Sequence, residues 1–185
     1  MEALLISTGI VALAEIGDKT QLLAFVLAAR YRRPWPIVGG ITLATLANHA
    51  GAAALGSWAG AALDAGWLRW VLGLGFLAMA VWVLVPDTLD GDGGAGRDRG
   101  GAFLTTLVVF FLAEMGDKTQ LATVALGARF DGALVAVVIG TTAGMLLANV
   151  PAVLVGQRLA ERLPLRAMRW TAAALFALVG VATLV

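Results

Sequence analysis

The chain is built from long apolar stretches separated by short polar breaks. Six stretches are long enough for helices that cross a bilayer core, which takes about 20 residues each. They lie near 3–29, 36–61, 67–85, 102–128, 132–157 and 167–185. They are continuous, without the ten-residue alternation of a membrane barrel, so helices are predicted. The breaks carry their own signals. Arg30, Tyr31, Arg32, Arg33 and Pro34 close the first stretch, and Asp64, Ala65 and Gly66 part the second from the third. The polar, glycine-rich run 86–101 reads as a linker. Asp131 and Gly132 divide the fourth stretch from the fifth, and residues 158–166, with Pro164 among them, divide the fifth from the sixth.

Composition narrows the class. Only 14% of residues are charged and 60% are hydrophobic, where a soluble domain is about one quarter charged. This places the chain among integral membrane proteins, with the lipid bilayer as its surroundings. The absence of cysteine excludes disulfides and thiolate metal sites. A net charge of +1 gives no reason to expect a nucleic acid partner. The first stretch does not read as a signal peptide, because it lacks a basic start and is interrupted by Glu15, Asp18 and Lys19.

The arginines set an orientation. With the N-terminus outside, the cytoplasmic side holds Arg30, Arg32, Arg33, Arg97, Arg99, Arg158, Arg162, Arg166 and Arg169, while Arg69 and Arg129 lie outside. That is a strong positive-inside bias, and an even number of spans puts both termini outside.

The apolar stretches also repeat. "AEIGDKTQ" at 14–21 returns as "AEMGDKTQ" at 113–120. "LAN" at 46–48 answers "LAN" at 147–149, Gly39 answers Gly140, and Arg69-Trp70 answers Arg169-Trp170. Residues 1–85 therefore read as one three-helix repeat, 86–101 as a cytoplasmic linker and 102–185 as the second repeat. Three is odd, so the second copy enters from the opposite face. The predicted fold is an all-α membrane protein of six helices in two inverted-topology repeats, a layout that puts a transport site near midplane.

Both charged motifs fall at the centres of their stretches, the costliest depth for a charge, where ionisable groups mark ion paths. Glu15 and Asp18 share a helix face, as do Glu114 and Asp117, and Gln21 and Gln120 extend those faces as further candidate metal ligands. Gly17 and Gly116 permit close helix approach or a local break. If the two helices face each other, four carboxylates converge. Lys19 and Lys118 balance charge, pairing with acids of their own repeat or of the other. Four acids and two lysines sum to minus two, which suits one divalent cation. Two acids so placed resist ionising together, so the pair is expected to hold protons when empty and to release them as a metal enters.

Asn48 and Asn149, near the middle of the second and fifth stretches, are candidate ligands, or else interhelical hydrogen-bond partners. Thr20, Thr119, Thr42 and Thr141 are weaker candidates. His49, the lone histidine, has Val150 as its counterpart in this alignment, and packing or proton carriage are both open for it. Met115 replaces Ile16 in the second motif and points away from the acid face, so packing is expected there. The ligand chemistry, all oxygen, suits Mg2+, Ca2+ or Mn2+ without choosing among them. No prosthetic group and no enzymatic centre is visible.

The motifs Glu15-Ile16-Gly17-Asp18-Lys19-Thr20 and Glu114-Met115-Gly116-Asp117-Lys118-Thr119 resemble the paired E-x-G-D-[KR]-[ST] signature of the Gdt cation/proton exchangers, and the resemblance covers nearly the whole chain. It implies that the acids of both motifs bind the transported ion and that Mn2+ or Ca2+ moves against protons. The short chain is similar to the bacterial manganese exporters of that family, which implies the bacterial inner membrane. Linker residues Asp87, Asp90 and Asp92 fail the spacing of a calcium loop. Two other readings remain open at this stage: a membrane scaffold whose acids lock helices, and a passive cation channel. Small residues such as Gly51, Ala52 and Gly56 fit helix contacts within one bundle or in a homo-oligomer.

Overall fold

The first and fourth apolar stretches do not form single helices. A computed structural model describes residues 1–85, 101–155 and 165–185. In it, α1 (Glu2–Glu15) stops at the first motif and α2 (Lys19–Tyr31) resumes after it. Likewise α5 (Gly101–Glu114) stops at the second motif and α6 (Lys118–Arg129) resumes. The cause is local. Gly17 and Gly116 take φ of +80° and +78°, a region open to glycine and costly for other residues. The next aspartate is extended and starts the new helix. Asp18 accepts the Lys19 N–H at 2.9 Å, and Asp117 has the same extended conformation at the start of α6.

The remaining helices follow the predicted stretches more closely. They are α3 (Pro34–Ala62), α4 (Ala65–Trp82), α7 (Leu134–Val155) and α8 (Leu165–Leu184), and no strand occurs among the described residues. Pro34 opens α3, where its missing N–H costs nothing. Asp64 caps α4 by accepting the N–H groups of Gly66 and Trp67 at 3.0 and 3.1 Å. Two helices, α3 and α7, are long and apolar enough to cross a membrane. The glycine breaks are why the first and fourth stretches do not pass the same test. Residues 86–100 and 156–164 lie outside the described residues, and with them most of the expected linker, Asp87, Asp90, Asp92 and Arg97, Arg99, Arg158 and Arg162.

Large apolar side chains face outward: Leu5, Trp58, Val81, Val135, Leu147 and Leu178 are each at least 62% exposed. Lipid is the natural solvent for such a surface. Inside, α1 lies on α7 and α5 lies on α3, so each half of the chain packs its first helix against the long helix of the other. Helix α4 packs on α8, with the rings of Phe76 and Phe176 centred 6.3 Å apart.

This packing corrects the register of the repeat. A Cβ at Gly40 would meet Phe103 O and Thr106 Cβ, both at 2.8 Å. A Cβ at Gly140 would meet Leu4 O at 2.6 Å and Ser7 Cβ at 3.0 Å. Phe103 and Thr106 follow Leu4 and Ser7 by 99 residues, so Gly140 is the counterpart of Gly40, not of Gly39. The buried face confirms an offset of 100. Ile37, Ile41, Ala44, Asn48, His49, Ala52 and Ala53 are buried in α3. Val137, Thr141, Gly144, Ala148, Asn149, Ala152 and Val153 are buried in α7. The letters "LAN" align one residue out of step with the faces the helices bury. His49 therefore corresponds to Asn149, and Asn48 to Ala148.

Helix α3 also meets α6 through bare backbone. A Cβ on Gly56 would sit 1.9 Å from Val124 O, and one on Gly127 would sit 2.4 Å from Ala53 O. Gly56→Ala is therefore expected to destabilise the protein by about 1–3 kcal/mol through overpacking. Gly51 has nothing within 4 Å, so Gly51→Ala should be neutral or stabilising, by up to about 1 kcal/mol. Thermal unfolding of both variants in detergent checks the contrast.

Candidate functional site

The two breaks bring the motifs together. Lys19 Nζ lies 3.1 Å from Asp117 Oδ1, and Lys118 Nζ lies 3.3 Å from Asp18 Oδ1. Each lysine thus pairs with the aspartate of the other half. Sequence left the choice of partner open. The structure settles it because each lysine begins a new helix after the break, past the face that carries its own glutamate. The two pairs are unequally covered: the Lys118 side chain is 4% exposed and that of Lys19 is 30% exposed. The Lys19 end of the cluster is therefore the more open one.

Glu15 and Glu114, each the last residue of its helix, are fully buried. Thr20 donates its hydroxyl to Glu15 Oε1. Thr119 donates to Glu114 Oε2 at 2.9 Å. These threonines, weak candidates by sequence, hold the two glutamates directly. The signal was present in the five-residue spacing from Glu to Thr, but that spacing falls on opposite faces of an unbroken helix. Only the glycine break folds them onto each other.

Asn149 donates Nδ2 to Glu15 Oε1 at 3.1 Å, joining α7 to the first motif. Asn48 behaves differently: it donates to Phe111 O at 3.0 Å and accepts from Gln120 Nε2 at 3.5 Å. The glutamines brace the breaks. Gln21 Oε1 accepts the Gly17 N–H at 2.9 Å while its amide donates to Ala148 O at 3.0 Å. Gln120 Oε1 accepts the Gly116 N–H at 2.7 Å. Thr42 and Thr141 spend their hydroxyls on carbonyls of their own helices. Met115 is 56% exposed, so it neither packs inside nor joins the acids.

Several buried acceptors here have no hydrogen-bond partner: Glu15 Oε2, Glu114 Oε1, Asp117 Oδ2 and Asn149 Oδ1. Lone pairs buried in this way call for a proton or a cation. In the conformation seen, no three of the acidic and histidine side chains among the described residues stand close enough to hold a metal. The expected four-carboxylate cage is not assembled: the two aspartates pair with lysines, and the two glutamates accept from threonines.

Buried charges gathered at two broken helices, on a bundle with an apolar exterior, are in keeping with a membrane transporter. The chain belongs to the family of the divalent cation/proton antiporter GDT1, whose model matches residues 3–91 and 102–185. A relative from Vibrio cholerae serotype O1 (strain ATCC 39541 / Classical Ogawa 395 / O395), titled "Putative manganese exporter", is 53% identical over 183 residues. The alignment covers 99% of this chain and 90% of the relative. No solved structure matches.

Proposed function

We propose that this protein is a secondary active transporter that exports Mn2+ in exchange for protons across the bacterial inner membrane, with Ca2+ as a second substrate. In this reading the two broken helix pairs and the four other helices make six spans in two inverted repeats, both termini outside. The single observation that carries the reading is the reciprocal pair Lys19–Asp117 and Lys118–Asp18 around two buried glutamates with unpartnered oxygens. The family and the relative's title support the direction of the reading.

The roles follow from the contacts. Glu15 and Glu114 each present one oxygen that a proton or a cation satisfies, and one occupant excludes the other. Asp18 and Asp117 join the ion when it draws them from the lysines, whose charges hold the empty site near neutrality. Asn149 adds its free carbonyl oxygen. Asn48, Gln21 and Gln120 position the helices about the breaks, and Gly17 and Gly116 let them bend there.

Purified protein in liposomes, with a pH dye inside and Mn2+ added outside, tests this. Exchange predicts metal uptake with internal acid release, and a pH gradient alone should drive Mn2+ uphill. Mn2+ flux that ignores the proton gradient would establish a channel instead. No flux from active, inserted protein would leave a scaffold.

A further inference from the structure

The corrected register gives His49 a place that the sequence alignment hid. His49 occupies in α3 the position that Asn149 occupies in α7, 100 residues on. Asn149 serves Glu15 from that position. The packing counterpart of Glu15 is Glu114, since α5 lies on α3 as α1 lies on α7. Two more observations point the same way. His49 is completely buried, and both of its ring nitrogens lack a hydrogen-bond partner. Glu114 Oε1 is also buried and unpartnered. One half thus holds a buried glutamate oxygen and the Asn149 oxygen without partners, and the other holds a buried glutamate oxygen and an imidazole without partners. A histidine kept only for packing would leave two polar atoms dry in an apolar interior, where a hydrocarbon side chain of similar size would do better.

Resting on the antiport reading, we propose that His49 is a specificity-determining ligand, giving one ring nitrogen to the transported ion beside Glu114 as Asn149 gives an oxygen beside Glu15. A site of oxygens alone is suited equally to Mg2+, Ca2+ and Mn2+. Ca2+ and Mg2+ take oxygen ligands. Mn2+ also favours oxygen and binds nitrogen most weakly of the first-row series, yet as a transition ion it accepts one imidazole among oxygens more readily than the two alkaline-earth ions do. The second-half nitrogen therefore tilts the site toward Mn2+.

Electron spin-echo measurements on the untagged protein loaded with MnCl2 test this directly, since His49 is the only histidine in the chain. Imidazole 14N modulation of the Mn2+ signal is expected in the wild type and its loss in His49→Asn, which copies the other half. In liposomes, the flux of each cation is compared in wild type and in the same variant. Its preference for MnCl2 over CaCl2 and MgCl2 should fall by about 10-fold or more, the scale of a lost metal-site interaction. Mn2+ that binds without 14N modulation in the wild type, or selectivity unchanged in His49→Asn, would overturn the assignment while leaving antiport intact. Failure of the wild type to exchange Mn2+ for protons would instead overturn the antiport reading beneath it.

Discussion

Glu15→Gln is expected to stop proton-coupled Mn2+ transport, lowering flux more than about 100-fold, beyond the usual cost of disturbing a residue that only supports a metal site. The change keeps an oxygen to accept from Thr20 and Asn149, so the hydrogen bonds that fix the end of α1 survive. What disappears is the second oxygen, Oε2, which has no partner in the protein. Glu114→Gln should behave in the same way, because Thr119 still finds an acceptor there. Both variants should insert and unfold within a few degrees of the wild type, as expected for a stability change below about 1 kcal/mol. Liposome flux read beside thermal unfolding separates lost transport from lost fold. Uptake at wild-type rates in either variant would remove the glutamates from the ion path.

The second large effect concerns stability. Lys118→Met removes one partner of an ion pair whose side chains are 4% and 1% exposed. Deleting one member of a buried pair costs about 3–5 kcal/mol, because the remaining charge loses its counter-ion in a medium that cannot solvate it. Adding Asp18→Asn should return most of that loss, since the double variant buries no net charge at this contact. Lys19→Met should cost less, as the Lys19 side chain is 30% exposed. Unfolding in detergent of the two single variants and the double variant completes the cycle. A double variant as unstable as Lys118→Met alone would show that the pair is not what Lys118 contributes.

Much of the site was readable from the chain because intramembrane charge is expensive and therefore conspicuous. The duplicated acids, lysines and glutamines stood out from apolar surroundings, and the motif glycines left a local break or a close helix approach both open. The consequences of that break were not readable. An unbroken helix would keep Thr20 off the Glu15 face and would leave the glutamines on the face of the aspartates. The φ of +80° at Gly17 brings Thr20 to Glu15 and turns Gln21 back onto the glycine N–H. The register of the second and fifth stretches misled for a different reason. Identical letters at 46–48 and 147–149 are a weaker guide than the face a helix must bury, and burial follows the glycines at 40 and 140. Partners across the halves were beyond sequence because they depend on how the two broken helices meet.

The crossed contacts, residue 19 to 117 and 118 to 18, have the form of an isologous interface in a two-fold dimer. In a true dimer, every innovation appears twice, because both subunits are translated from one message. Joining the halves in a single polypeptide lifts that constraint: an imidazole can stand on one side of the axis and an amide on the other. The covalent link thus lets His49 and Asn149 differ at positions that the burial of α3 and α7 makes equivalent.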